Sequence, residues 1–145
     1  MPGITPKAVH QLLELRKLRR RRADETLRVR QSAIDKSGAS IEAALAVLRT
    51  WRQDRPRLER EIYDLLIGKT VALNDLEQAK AKMASLHDHE RLLERRLEEA
   101  LSETEQARQA RQEAYNAARQ AYRELEKCDN LVRALTAGRL RETDL

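Results

Sequence analysis

Apolar residues in the first half of the chain recur at alternating spacings of three and four. One set of positions lies seven residues apart, and a second set follows the first by three residues each time. The two sets are Leu27, Ile34, Ile41, Leu48, Arg55 and Ile62, and Arg30, Ser37, Ala44, Trp51, Leu58 and Leu65. Such a stripe lies on one face of a helix and is typical of the seam of a coiled coil.

The second half repeats this pattern. Its sets are Leu76, Met83, Glu90, Leu97, Thr104, Arg111, Ala118, Leu125 and Val132, and Ala79, Leu86, Leu93, Ala100, Ala107, Ala114, Ala121, Cys128 and Leu135. Between Ala100 and Ala121 the second set is rich in alanine. Small side chains let two helices approach closely but bury little area, so this part of the pairing is predicted to be the weakest.

A stretch of ten residues, Leu65 to Asn74, separates the two patterns. Gly68 can adopt the left-handed backbone that ends helices, and Asn74 with its acidic successors is typical of a helix start. At the outer ends, Thr5-Pro6 predicts a helix start and Gly138 a helix end. The chain is therefore predicted to be all-α and one domain over residues 1–145: helix about 6–66, bend about 67–73, helix about 74–137. Two long helices would form an antiparallel coiled-coil hairpin with arms of roughly 90 Å.

Two positions interrupt the first arm. Gly38, after Ser37, weakens a helix by about 1 kcal/mol. Pro56 removes a backbone hydrogen bond and clashes with the preceding turn. We expect a kink or a short break near Asp54-Arg55, where Asp54 could cap a restarted segment.

Composition supports a coiled coil and excludes several classes. Charged residues make up 37% of the chain and aromatic residues 3%, without any Phe, which is typical of long helices rather than a compact core. The sequence contains no long apolar run and no signal peptide, and its one cysteine cannot form an internal disulfide. These features predict a cytoplasmic protein.

Charge is unevenly distributed. Residues 1–60 carry 15 Lys and Arg against 7 Asp and Glu, a balance of +8, whereas residues 61–145 carry 14 against 17, a balance of −3. The densest run is Arg16-Lys17-Leu18-Arg19-Arg20-Arg21-Arg22. It could be a solvated helix face, or it could bind nucleic acid, anionic lipid or an acidic protein. No Asn precedes position 74, which disfavours a DNA-reading helix of the basic-zipper type.

Other candidate residues have structural and functional interpretations. Trp51 and Tyr63 could fill space in the seam or anchor a partner. Tyr115 and Tyr122, seven residues apart, are predicted to pack structurally, and Cys128 to be a buried thiol of the seam. The His87-Asp88-His89-Glu90 run lacks the i,i+4 spacing of helical metal ligands. No phosphate-binding loop, catalytic triad or CxxC motif occurs, so we expect neither catalysis, cofactor nor metal.

Residues 48–77 carry a resemblance to a known family. The motifs are Leu48-Arg49-Thr50-Trp51-Arg52-Gln53, Arg57-Leu58-Glu59-Arg60-Glu61-Ile62-Tyr63 and Val71-Ala72-Leu73-Asn74-Asp75-Leu76-Glu77. They resemble the injectisome stalk proteins of type III secretion, the YscO group, which is similar to flagellar FliJ. Pro56 and the His87-Asp88-His89 run depart from the usual pattern of that family.

The resemblance implies a two-helix stalk like the γ-subunit coiled coil of rotary ATPases, without chemistry of its own. The open end would enter the pore of a hexameric secretion ATPase, through Leu12, Leu13, Arg16, Lys17, Arg19, Arg20, Leu131 and Leu135. The tip would contact the membrane export gate through Trp51, Arg52, Tyr63, Leu66 and Leu76. Export chaperones are implied as further partners, and the location would be the cytoplasmic side of the inner membrane. The alternative is a generic scaffold or a nucleic-acid-binding coiled coil that uses the basic N-terminal helix.

Overall fold

The computed structural model describes residues 5–68 and 70–143, with the backbone alone for residues 139–143. It contains two long helices, α1 (Pro6–Asp64) and α2 (Leu73–Thr143), and no strand within the described residues. The helices pack against each other as a hairpin, which confirms the predicted all-α fold class. Two compact units can be distinguished: unit 1 pairs the segment up to Ile34 with the segment from Ala107, and unit 2 comprises Asp35–Gln106.

The buried side chains of each unit follow the predicted seam. In unit 1 they are Val9, Leu13, Ala114, Ala118 and Cys128, and in unit 2 they are Leu48, Ile62, Ala79, Leu93, Ala100 and Thr104. All of them occupy the heptad positions or the continuation of those positions toward the N-terminus. The single buried polar residue of these sets, Thr104, donates its hydroxyl to the carbonyl of Ala100 at 2.9 Å. The heptad prediction is therefore confirmed at these positions. Leu65, Leu76 and Leu135 were also predicted to lie in the seam, but they are exposed.

Helix α1 begins as the sequence predicts. The backbone N–H of Ala8 donates to Thr5 Oγ1 at 3.2 Å, and the N–H of Val9 donates to the Thr5 carbonyl at 3.1 Å. Thr5 thus satisfies one of the backbone N–H groups that lack a partner in the first turn, and Pro6 occupies a position that needs no donor.

The turn between the helices begins two residues earlier than predicted, because α1 ends at Asp64. The N–H groups of Leu66 and Ile67 both donate to the carbonyl of Tyr63, at 2.9 and 3.2 Å, which closes the last turn. Gly68 has a φ of 78°. Only glycine adopts this left-handed backbone without steric cost, so Gly68 allows the chain to reverse here.

Helix α2 begins at Leu73, one residue before the predicted start. The capping contact is made by Asp75, whose carboxylate accepts the N–H of Ala72 at 3.4 Å. This is the reciprocal half of a capping box, in which an acid at the third helical position bonds back to the cap residue. Asn74, the predicted cap, lies inside the first turn instead.

The prediction that Gly138 ends the second helix is wrong. Gly138 keeps a helical backbone and α2 continues to Thr143. A glycine inside a helix costs about 1 kcal/mol. It ends a helix when the backbone turns left-handed there, and the helix-forming residues that follow Gly138 oppose that turn.

The predicted break near Asp54-Arg55 is also absent, since α1 is helical on both sides of Pro56. The proline still removes one hydrogen-bond donor from the helix. Ile62 and half-buried Leu58, on the C-terminal side of Pro56, lie in the seam, and Arg55 bonds across to α2. These tertiary contacts hold the segment in helical form, so Asp54 does not cap a second helix.

Replacing Pro56 with alanine should therefore stabilise the protein. Pro56 is exposed, and a proline costs about 3 kcal/mol more than alanine in a helix interior. We expect the free energy of unfolding to rise by up to about 3 kcal/mol, measured by urea denaturation followed by circular dichroism. Ser40→Ala, an exposed helical control, should change it by less than about 0.7 kcal/mol. Equal effects of the two substitutions would contradict this account of Pro56.

Candidate partner-binding surfaces

Two of the four basic residues predicted to contact a partner already interact within unit 1. Arg16 lies at a seam position, is about one quarter exposed, and forms an ion pair with Glu124 of α2. Arg20 pairs with Asp24 at 3.7 Å, and its guanidinium lies over the ring of Tyr122, 4.9 Å from the centroid. Both side chains therefore contribute to local structure, although Arg20 remains partly exposed.

The remaining cations of the basic run are more available. Lys17 is exposed and pairs with Glu14 of the same helix at 3.4 Å. Arg19, Arg21 and Arg22 are exposed and form no ion pair with any residue in the described part of the chain. An exposed guanidinium without a local acid retains its full capacity to bind an external carboxylate.

The leucines predicted to contact the ATPase also differ in exposure. Leu13 is only 8% exposed and belongs to the seam, so it is not accessible while the helices are paired. Leu12 of α1 and Leu131 and Leu135 of α2 are exposed. The structure therefore keeps these three as candidate contact residues and assigns Leu13 to helix pairing.

Trp51 lies in the seam of unit 2 rather than on the surface. Its ring meets that of His89 edge to face, with centroids 4.4 Å apart and an interplanar angle of 70°. The indole Nε1 is buried, and no described residue accepts its hydrogen bond. Of the two interpretations of Trp51, the structure favours a side chain that fills the space between the helices.

Arg52 and Arg55 form an ionic cluster with α2 beside this tryptophan. Arg55 donates to Glu59 at 2.7 Å and to Glu90 at 2.5 Å. Arg52, which is exposed, approaches Glu90 at 3.6 Å and Glu94 at 3.2 Å. The hydrogen bond to Glu59, followed by the charge of Glu90, raises the pKa of Arg55, whereas its partial burial acts in the opposite direction. Arg55 therefore stays charged and can pair with the carboxylate of Glu90 in the seam.

This cluster was missed at the sequence level, although a sign of it is present in the heptads. Arg55 occupies a seam position of the first arm, and Glu90 occupies one of the second. A charged residue on each side of a hydrophobic seam can pair across it and set the register of the two helices. Arg52 was predicted to contact the export gate, but its guanidinium is engaged by α2.

The turn carries a cluster of exposed apolar side chains that is larger than predicted. Of the predicted gate residues, Tyr63 and Leu76 are exposed and Leu66 is half-buried. Leu65 was predicted to lie in the seam, and Ile67, Val71 and Leu73 were placed in the bend without being named as gate contacts, but all four are exposed. We call these seven residues the apolar tip. Ile67 and Leu73, at 70% and 73% exposure, are its most accessible members. An apolar cluster of this extent is typical of a protein interaction site.

Tyr115 and Tyr122 are exposed, contrary to the prediction that they pack structurally. Each ring is partly covered by an arginine: Arg20 covers Tyr122, and Arg119 lies 5.8 Å from the centroid of Tyr115. Ala114 and Ala118 occupy the buried seam positions here, and the two tyrosines lie outside the seam. Cys128 is buried as predicted.

The remaining polar candidates take part in helix packing. His89 contacts Trp51, and Glu90 accepts a hydrogen bond from Arg55. Across residues 5–68 and 70–138, no three His, Cys, Asp or Glu side chains are grouped to hold a metal ion. Neither described helix contains a stretch long and apolar enough to cross a membrane.

Comparison with known proteins identifies a family and a similar structure. The sequence model of the family described as Type III secretion protein YscO matches residues 9–144. A crystal structure of type III secretion protein YscO from Vibrio parahaemolyticus has a TM-score of 0.92 to this chain. Sequence identity is 24%, and the match covers 96% of this chain and 87% of that chain, so the likeness is one of fold. No curated protein sequence matches the chain.

Proposed function

The chain belongs to the YscO family of type III secretion proteins and is a component of that secretion apparatus; from this premise we propose that it is the non-enzymatic stalk of the apparatus. In this role unit 1 binds a hexameric secretion ATPase, and the apolar tip contacts the membrane export gate. The stalk acts in the cytoplasm beside the inner membrane and also binds export chaperones. The family match over residues 9–144 carries the proposal.

Two surfaces of the chain support these roles. Unit 1 presents exposed cations without an acidic partner among the described residues, which suit an acidic protein surface. The apolar tip presents accessible aliphatic groups, which suit a hydrophobic groove. Each surface would bind its own partner, because surfaces of such different chemistry are complementary to different proteins.

The contacts between the helices suit a stalk whose two helices must stay paired while it is bound to its partners. In unit 1, Arg16 pairs with Glu124 and Arg111 donates to Gln31 at 2.5 Å. In unit 2, Arg55 pairs with Glu90 beside buried leucine and alanine. Apolar burial stabilises the pairing, and these polar contacts fix the register, since a shift by one turn would leave charges unpaired in the seam. The chain would act by binding alone.

Binding to the ATPase tests the proposal directly. The purified full-length chain should co-purify with the hexameric secretion ATPase and raise its rate of ATP hydrolysis. Reversing the charges of Arg16, Lys17, Arg19 and Arg20 together should remove both effects and stop secretion. Circular dichroism must accompany this variant, because Arg16 and Arg20 also make internal contacts.

The proposal is wrong if the wild-type chain neither binds nor stimulates the ATPase. It is also wrong if the fourfold variant remains fully active in secretion. Tight, salt-dependent binding to DNA in place of the ATPase would favour the alternative of a nucleic-acid-binding coiled coil.

A further inference from the structure

The outer surface of α1 in unit 1 has leucine and arginine side chains on one stripe. Leu12, Leu15, Leu18, Arg19 and Arg22 each lie three or four residues from at least one other member of the set, so they form one connected stripe on the helix surface. All five are exposed. We call them the outer face. None of them belongs to the seam, which is formed here by Val9, Leu13 and Arg16.

The acidic residues of α1 that lie near the outer face are already paired. Every acidic residue between Thr5 and Ile34 already has a cation within its own helix: Glu14 with Lys17 at 3.4 Å, Asp24 with Arg20 at 3.7 Å, and Glu25 with Arg28 at 3.5 Å. Glu124 of α2 is paired with Arg16. Arg19 and Arg22 form no ion pair with any described residue, although they lie in the densest basic run of the chain.

We propose that the outer face is the docking surface for an acidic protein surface with an apolar groove. Carboxylates of the partner would bind Arg19 and Arg22, and the groove would take Leu12, Leu15 and Leu18. The inference rests on the proposed function for the identity of this partner, the secretion ATPase, and names the residues of contact. Leu13 and Arg16 then serve helix pairing and do not touch the partner.

The arrangement fits a protein better than a phosphate-bearing partner. In a helix that binds a membrane surface, leucines occupy one face and cations the opposite or flanking face. Here Arg19 and Arg22 lie between the leucines on the same face of the helix. Nucleic acid would leave the three exposed leucines in water, because its phosphate backbone offers them no apolar contact. A protein groove lined by carboxylates satisfies both kinds of side chain.

Single charge reversals with a matched control test the face. Arg19→Glu and Arg22→Glu change the outer face, whereas Arg21→Glu makes the same change at an exposed position that the helical geometry turns away from it. Binding of each full-length variant to the purified hexameric ATPase is measured by calorimetry. A second probe is a synthetic amphipathic peptide with leucine and glutamate at alternating spacings of three and four. Circular dichroism checks that each variant is as helical as the wild type.

Arg19→Glu and Arg22→Glu should each weaken binding to both probes by at least about 10-fold, as expected for hot-spot arginines. Arg21→Glu should weaken it by less than about 3-fold, the effect of general charge attraction at moderate salt. Leu15→Ala should also weaken binding without changing the salt dependence.

The possible failures can be told apart. Equal losses of binding affinity for Arg21→Glu and Arg19→Glu would overturn the inference that the outer face is the docking surface. Tighter wild-type binding to DNA or to phosphatidylglycerol vesicles than to the peptide would also overturn it. If the wild type does not bind the ATPase but binds the peptide, and Arg19→Glu and Arg22→Glu weaken that binding, the proposed function fails and the inference of an acidic partner stands. If the wild type binds the ATPase and neither reversal matters, the inference alone fails.

Discussion

Replacing Leu93 with alanine should lower the free energy of unfolding by about 2–5 kcal/mol. Leu93 is 3% exposed and lies in the seam of unit 2. The substitution removes apolar contacts and leaves a cavity that paired helices can only partly close. A two-helix seam buries few large side chains, so one leucine is a large share of its stability. Urea denaturation followed by circular dichroism measures the change, and Trp51 fluorescence reports on unit 2 separately.

The neighbouring residue provides the control. Leu92 is exposed on the same helix, so Leu92→Ala makes the same chemical change outside the seam. We expect it to change the free energy of unfolding by less than about 0.5 kcal/mol. Similar losses for the two variants would mean that the two helices do not pair through the heptad positions.

The second large effect is functional. The double variant Ile67→Asp and Leu73→Asp should abolish secretion while leaving the free energy of unfolding nearly unchanged. Both side chains are about 70% exposed or more and lie in the apolar tip, so they contribute little to folding. Each aspartate would place a charge in the hydrophobic groove that we propose for the export gate, where an unpaired charge is strongly unfavourable. A secretion assay and binding to the purified cytoplasmic part of the gate protein measure the result.

A matched double variant makes the test specific. Val47 and Leu101 are exposed apolar residues of unit 2 outside the apolar tip, so Val47→Asp with Leu101→Asp introduces the same two charges elsewhere. This control should secrete normally. Normal secretion by the Ile67 and Leu73 variant would contradict the proposed gate contact. Loss of secretion in both variants would attribute the effect to solubility or folding.

Much of the fold could be predicted because helical periodicity is a local property. The seam positions, Thr5 as a cap and Gly68 at the reversal all follow from spacing and backbone preference. Helix ends were less predictable. Gly138 favours an end only weakly, and Pro56 breaks a helix only where tertiary contacts do not hold it.

The candidate surfaces were harder to predict than the fold. Trp51 and Arg52 carry the family resemblance and are adjacent in sequence, but His89 and Glu94 of α2 engage them. The apolar tip was only partly foreseen, because Ile67 and Leu73 appear in sequence as ordinary hydrophobic residues of a helix boundary. Ile67 lies in the turn after α1 ends at Asp64, and Leu73 is the first residue of α2, so their exposure depends on where the two helices end and begin.

The sequence by itself determined two long amphipathic helices, the stripe by which they pair and the excess of positive charge in the first arm. These follow from residue order along each helix. The pairs of Lys17 with Glu14 and of Arg20 with Asp24 lie within one helix, whereas only the tertiary structure decided that Arg16 is paired. Arg16 and Arg19 lie three residues apart, but Glu124, 108 positions away from Arg16, neutralises the first and leaves the second exposed. The number of charged residues on a helix follows from the sequence. Whether a given charge is left without an ion-pair partner also depends on which residues of the other helix lie next to it.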